Sequence, residues 1–314
     1  MKPDSQRPWP ELPAYAEWEE TCTTLLLWSQ IVGKVRLALG PPINHFWGST
    51  LYVTTRGLTT SAMAYGDGAV AIDFDFTAHA LRITTSEGKE VSFSLRPMSV
   101  ADFYAETMRS LNDLGVEVRI FPRPVEVVES IPFAANTRVA AYDRDRAHLY
   151  WSVLVRVANV FSEFRARFVG KVSPVHLFWG AFDLAVTRFS GRTAPKHPGG
   201  IPNCAAWVME EAYSHEVSSA GFWSGAGLGE AAFYSYAYPV PKGFNEWRAA
   251  PAAAYYNEAL GEFILPYRAI RESHPEQSLL QFLQSTYEGA ATLAAWDRPA
   301  LERSGRSFPV HHSP

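Results

Sequence analysis

Pro174-Val175-His176-Leu177-Phe178-Trp179-Gly180, running on to Thr187-Arg188, repeats a passage found 132 positions earlier, Pro42-Ile43-Asn44-His45-Phe46-Trp47-Gly48 to Thr55-Arg56. Six of the fifteen aligned positions are identical, where unrelated stretches share roughly one. The match implies a duplicated unit whose equivalent elements surround a pseudo-two-fold axis. Its seam is the natural place for a cleft lined from both halves.

The segments on either side extend this expectation. Ahead of the second copy, Tyr150, Leu154, Val157, Phe161, Phe164 and Phe168 recur at spacings of three and four, the pattern of an amphipathic helix. Residues 16–37 hold the counterpart, with Trp18, Cys22, Leu25 and Val32 in equivalent places and Pro41-Pro42 stopping the helix. β-rich stretches at 51–55, 70–76, 80–84, 91–95, 182–187 and 262–265 predict strands. Ser99 is the predicted N-cap of a closing helix in the first half, and Leu279, Leu280, Leu283, Tyr287 and Leu293 mark its equivalent in the second. The expected fold class is α+β, two pseudo-symmetric repeats, each helix, antiparallel strands, helix. The expected division is an arm at 1–14, a first repeat at 15–120, a linker at 121–146, a second repeat with insertions at 147–298 and a tail at 299–314.

A chain of 314 residues with 47% apolar content supports a sizeable core, and its net charge of −4 comes without any run of Lys or Arg. Nucleic acid is therefore not the expected partner. No apolar run approaches the roughly 20 residues of a membrane span, and the first ten residues are polar and proline-rich, so no membrane association and a soluble, cytoplasmic protein are expected. Cys22 and Cys204 stand alone, outside any zinc or disulfide pattern.

Familiar motifs fail in turn. The glycines of 225–229 lack nucleotide-loop spacing, His215-Glu216 has Ser219 where a zinc-protease helix needs its second His, and no nucleophile elbow occurs. Asp73-Phe74-Asp75 reads as two acids on the solvent face of a strand.

What remains is the difference between the two motif copies. His176 replaces Asn44 and Asp183 replaces Leu51, and a carboxylate inside an apolar strand needs a partner. His176, His215, Asp183 and Glu216 are the candidate catalytic residues, with His215 expected opposite His176 or Asp183 for acid–base work. Adjacent residues of a strand point apart, so His215 and Glu216 are not expected to touch. Arg56 and Arg188, at the ends of equivalent strands, are the candidate anion holders. Trp47, Trp179, Trp223 and Tyr213 would wall the pocket. The expected ligand is a small anionic metabolite. Enzyme and non-catalytic binding or protein-interaction module both stay open, the cofactor is unknown, and no metal is assigned because the spacing does not call for one.

The stretches Trp9-Pro10-Glu11-Leu12-Pro13, Arg56-Gly57-Leu58-Thr59-Thr60, Ser173 to Gly180, Thr187 to Arg192 and Tyr213-Ser214-His215-Glu216 together resemble a bacterial family catalogued only as a domain of unknown function. The resemblance covers about residues 9–298. It implies a single-chain protein of this size and carries no activity, cofactor or catalytic residue with it.

Overall fold

Val70, Ile72 and Phe74 are buried, while Ala71 and Asp73 between them are only partly so, as a period of two in a half-covered strand requires. This strand is the centre of the first of two six-stranded sheets in the computed structural model, which describes residues 8–303. The first half runs α1 (Glu19–Leu39), β1 (Tyr52–Val53), β2 (Gly57–Thr59), β3 (Met63–Tyr65), β4 (Gly68–Asp75), β5 (Ala80–Thr85), β6 (Glu90–Ser94), β7 (Met98–Ser99) and α2 (Val100–Asp113). Its sheet has the order β1-β2-β4-β5-β6, with β3 also on β4. Ser99 caps α2 by accepting from the Asp102 amide. The rings of Trp28 on α1 and Phe74 on β4 lie stacked on either side of Phe103 from α2, 4.6 and 6.1 Å from it, so the two helices and the sheet share one dry layer.

After an irregular connection come β8 (Val139–Ala140), which pairs with β7, and then α3 (Arg144–Ala166), β9 (His176–Phe178), β10 (Asp183–Thr193), α4 (Ala206–Ala212), β11 (His215–Trp223), β12 (Ala232–Tyr238), β13 (Tyr255–Asn257), β14 (Glu262–Pro266), α5 (Pro275–Leu293) and α6 (Arg298–Leu301). The second sheet has the order β13-β14-β12-β11-β10-β9, and every pairing in both sheets is antiparallel. The fold is α+β. Among the described residues no helix is long and apolar enough to cross a membrane. The last residues of the expected tail, 304–314, lie outside the described residues, as do 1–7 of the arm.

The halves meet where Leu51 and Leu177 exchange both backbone hydrogen bonds, at 2.9 and 2.7 Å. That bridge brings the edge of one sheet to the edge of the other, and one hydrophobic cluster runs through both.

Within the matched passage the two copies fold differently. Asn44–Phe46 forms a 3-10 turn where His176–Phe178 is β9. Thr54 bends the chain between β1 and β2 because its Oγ1 accepts from the amides of Arg56 and Gly57, at 3.3 and 3.1 Å. Val186 stands in the equivalent place without a hydroxyl, and β10 continues straight through Thr187 and Arg188. The two Thr-Arg pairs therefore do not end equivalent strands. Arg56 sits in a turn and Arg188 in mid-strand.

Candidate functional site

The register of the second sheet sorts its residues onto two faces. Leu184, Val186 and Arg188 of β10, Phe222 and Ala220 of β11, and Phe233 and Ala237 of β12 share the face covered by α3 and α5. The opposite face carries Asp183, Thr187, Ser219, Gly221, Trp223, Tyr234, Tyr236 and Glu262. A sheet with one dry face and one polar, aromatic face puts its chemistry on the second.

Gly221 decides the geometry there. It lies on β11 between Tyr234 of β12 and Ala185 of β10, and a Cβ on it would run into the Tyr234 ring. Because Gly221 has none, the tyrosine lies flat across the intervening strand, and its hydroxyl donates to Asp183 Oδ2. Beside it, Tyr236 faces Ser219, whose hydroxyl bonds that of Thr187 at 2.8 Å, and the Tyr236 hydroxyl meets that of Tyr213, at the end of α4, at 2.8 Å. Asp183 is buried, while Tyr213, Tyr234 and Tyr236 stay partly accessible, so the carboxyl forms the floor beneath these rings. Trp223 lies 5.8 Å from Tyr234 as a wall.

Two further carboxyls face this floor. Glu262 sits on β14 of the same face. Glu126 comes from the connection between the halves, where Gln30 of α1, fully buried, clamps the backbone: its amide donates to Val125 O at 2.8 Å and its carbonyl accepts from Val125 N at 2.8 Å. The clamp fixes Glu126 in a left-handed conformation, φ 59°, with its carboxyl against Gly180, where a Cβ would collide with it. The residue as a whole is open to solvent, yet its carboxyl is turned inward. Lost hydration and then the Asp183 charge raise Glu126 to about 7 and Glu262 to about 7; burial raises Asp183 to about 6 against the opposing hydrogen bond from Tyr234. Lys34, buried between the rings of Trp179 and Phe121, each 5.3 Å away, is lowered to about 8 by burial, partly offset by Cys204 and Glu126. Perturbed groups gathered in one place are the mark of a chemical site, and all three carboxyls are shifted toward neutrality.

Comparison with known proteins places the chain in a family. The family model described as "Family of unknown function (DUF5996)" matches residues 9–303. The chain belongs to that family. Neither curated proteins nor solved structures give a match. The family assignment agrees with the expected domain of unknown function and leaves the chemistry to be argued from the side chains.

Of the residues singled out in the sequence, Asp183, Trp223 and Tyr213 meet in this cluster, and Trp179 borders it through Lys34. His176 lies on the same face, opposite Ala185, but is wholly buried. Thr50 contacts its Nδ1 at 3.2 Å, its Nε2 has no partner among the described residues, and burial followed by Arg36 and Arg165 lowers it to about 3, which keeps it neutral. His215 pairs with Thr193, ten positions along β10 from Asp183, on the order of 30 Å away at ordinary strand rise. The expected His215–Asp183 pairing is thus excluded by register. Glu216 points to the other face and pairs with Arg192 at 2.7 Å. Trp47 packs beside His45 and Phe189.

The arginines do not converge. Arg56 pairs with Asp75 at 2.7 Å. Burial alone would raise Asp75, but hydrogen bonds from Thr77, the Ala78 amide and Arg56 hold it at about 2. Asp75 is therefore a buried structural acid and not a solvent-face one. Arg188 is buried on the helix-facing side, its guanidinium 3.4 Å from the Phe164 ring centroid and 4.3 Å from that of Tyr287, and it donates to Phe164 O. Among the described residues no three His, Cys, Asp or Glu side chains stand close enough to hold a metal ion.

Glu126, Glu262, Tyr234 and Lys34 were not legible as site residues. Glu126 lies in a proline-rich connection and Tyr234 in an ordinary strand pattern, and the one available signal was Gly221 inside a β-run, which marks a close approach.

Proposed function

We propose that this protein binds a small polar metabolite in the recess on the outward face of the second sheet and performs acid–base chemistry on it. Asp183 is the central proton donor or acceptor. Tyr234 donates to it and sets its orientation, Glu126 and Glu262 hold the local proton affinity near neutrality, and Lys34 offers a positive charge to an anionic part of the ligand in place of Arg56 and Arg188. The observation that carries this reading is the Tyr234 ring crossing Gly221 to reach a buried carboxyl whose affinity for protons is raised to about 6. A general acid–base group is most effective when its pKa lies near the working pH.

The non-catalytic alternative has its own support. Trp223, Tyr234 and Tyr236 form an aromatic row beside three carboxyls, a combination that suits holding a cation without turnover. A cytoplasmic location belongs to the same proposal, supported by two free cysteines.

A ligand-observed NMR screen of polar metabolites against the wild-type chain and Asp183→Asn tests the proposal. Expected are ligands that bind the wild type and lose at least about tenfold in affinity in the variant, some of which are turned over. If every ligand binds both proteins equally, the recess is not the site. If binding depends on Asp183 but nothing is converted, the non-catalytic alternative holds.

A further inference from the structure

A second polar cluster lies at the far end of the same face, about six residues along β10 from Asp183, roughly 20 Å at ordinary strand rise. His45 and Phe46 are consecutive left-handed residues, φ 56° and 59°, a conformation that costs free energy for side chains of this size and is kept where surrounding contacts enforce it. The turn buries His45, which is 4% exposed, with its Nδ1 3.0 Å from Ala212 O. A carbonyl oxygen only accepts, so Nδ1 carries the proton and Nε2 presents its lone pair. Lys171 Nζ lies 2.6 Å from that Nε2 and must be the donor. The ammonium sits over Phe189 and Trp47, 4.9 and 5.5 Å from their centroids. Two of its three N–H donors are left over, and no carboxylate pairs with it among the described residues. His215 stands edge-on to His45, ring centroids 5.8 Å apart, with Nδ1 engaged by Ser214 Oγ at 3.0 Å, which leaves its Nε2 edge for another partner.

We infer that Lys171 and His215, oriented around His45, bind a phosphate-type oxyanion, either as the free ion or as the end of a phosphate ester. A half-buried ammonium without a counter-ion, with donors to spare and an imidazole beside it, is completed by an anion. The donor type points to a tetrahedral oxyanion: a lysine acts as a point charge with rotatable donors, whereas a flat carboxylate is better served by the guanidinium fork that this site lacks. His45 is a positioning residue. It spends its lone pair on Lys171 and so fixes the ammonium between the two rings.

The test is a titration of the full-length protein with inorganic phosphate and, separately, phenyl phosphate, followed by the imidazole nitrogen resonances of His45 and His215. Expected are saturable shifts of both histidines, weakened at least about tenfold in Lys171→Met and unchanged in Asp183→Asn, which separates this site from the acid recess. Equal saturation by both probes identifies the free ion as ligand, and tighter binding of phenyl phosphate identifies an ester; either result supports the site. Shifts that grow without saturating, or a folded Lys171→Met that binds as the wild type does, overturn it. Should Lys171→Met not fold, His215→Gln carries the same test, with weakened binding expected and undiminished binding overturning the inference.

Discussion

Asp183 concentrates the residue-scale chemistry. In an unfolded chain its carboxyl titrates at about 3.9, and in the fold burial moves it to about 6. Between those values the folded protein carries the extra proton. The contribution of this group to stability is therefore fully present below about 3.9, falls as pH rises through the window and is lost above about 6. Asn keeps an oxygen to accept from Tyr234 and has no charge to bury. Asp183→Asn should accordingly be more stable than the wild type at pH 8 by on the order of 2–3 kcal/mol, with the difference vanishing toward pH 4; urea unfolding at the two pH values measures it. A deficit that does not change with pH would mean that Asp183 is an ordinary ionised carboxylate. Such a cost is what the proposed acid–base role of Asp183 implies.

Elements place the groups that the sheet cannot supply. Helix α1 contributes Lys34 directly and, through Gln30, holds the connection that delivers Glu126. An irregular segment rarely fixes a carboxyl by itself. Here a buried side-chain amide meets both backbone groups of Val125, which leaves Glu126 little freedom. Gln30→Ala strands those groups and should cost about 1–3 kcal/mol. It should also speed hydrogen exchange at the Val125 amide and let the Glu126 carboxyl fall back toward the ordinary carboxylate range, which a carbon-13 NMR titration reads. If Glu126 still titrates near neutrality in a folded Gln30→Ala protein, its placement comes from Gly180 and Lys34 instead.

Across the whole molecule, the N-terminal arm is fastened to the second half. Trp9 is 1% exposed, packs against Phe233 and Tyr267, and donates from its indole to Glu276 at 2.9 Å, while Tyr267 donates to Pro10 O at 2.7 Å. The arm is therefore held at Trp9 and Pro10 against the sheet that carries Asp183. Trp9→Ala should destabilise the entire protein by about 3–5 kcal/mol in a single unfolding transition seen alike by fluorescence and circular dichroism, because the core is continuous between the halves. Two separated transitions would show that the halves fold independently.

Local chemistry was enough to determine the four longest helices, about half of the strands and the α+β class. The three- and four-residue spacing of Leu154, Val157, Phe161 and Phe164, the alternation of Val70, Ile72 and Phe74, and the cap at Ser99 each act through near neighbours in the chain. Asp183 could also be singled out, because a carboxylate in an apolar strand needs a partner whatever the fold. Which partner it has could not be read from the sequence. Strand register sent His215 about ten residues away, the straightness of β10 buried Arg188 on the helix side, and a glycine on the neighbouring strand admitted Tyr234. Register, strand continuity and cross-strand space depend on which segments lie side by side, and only the tertiary structure decides that.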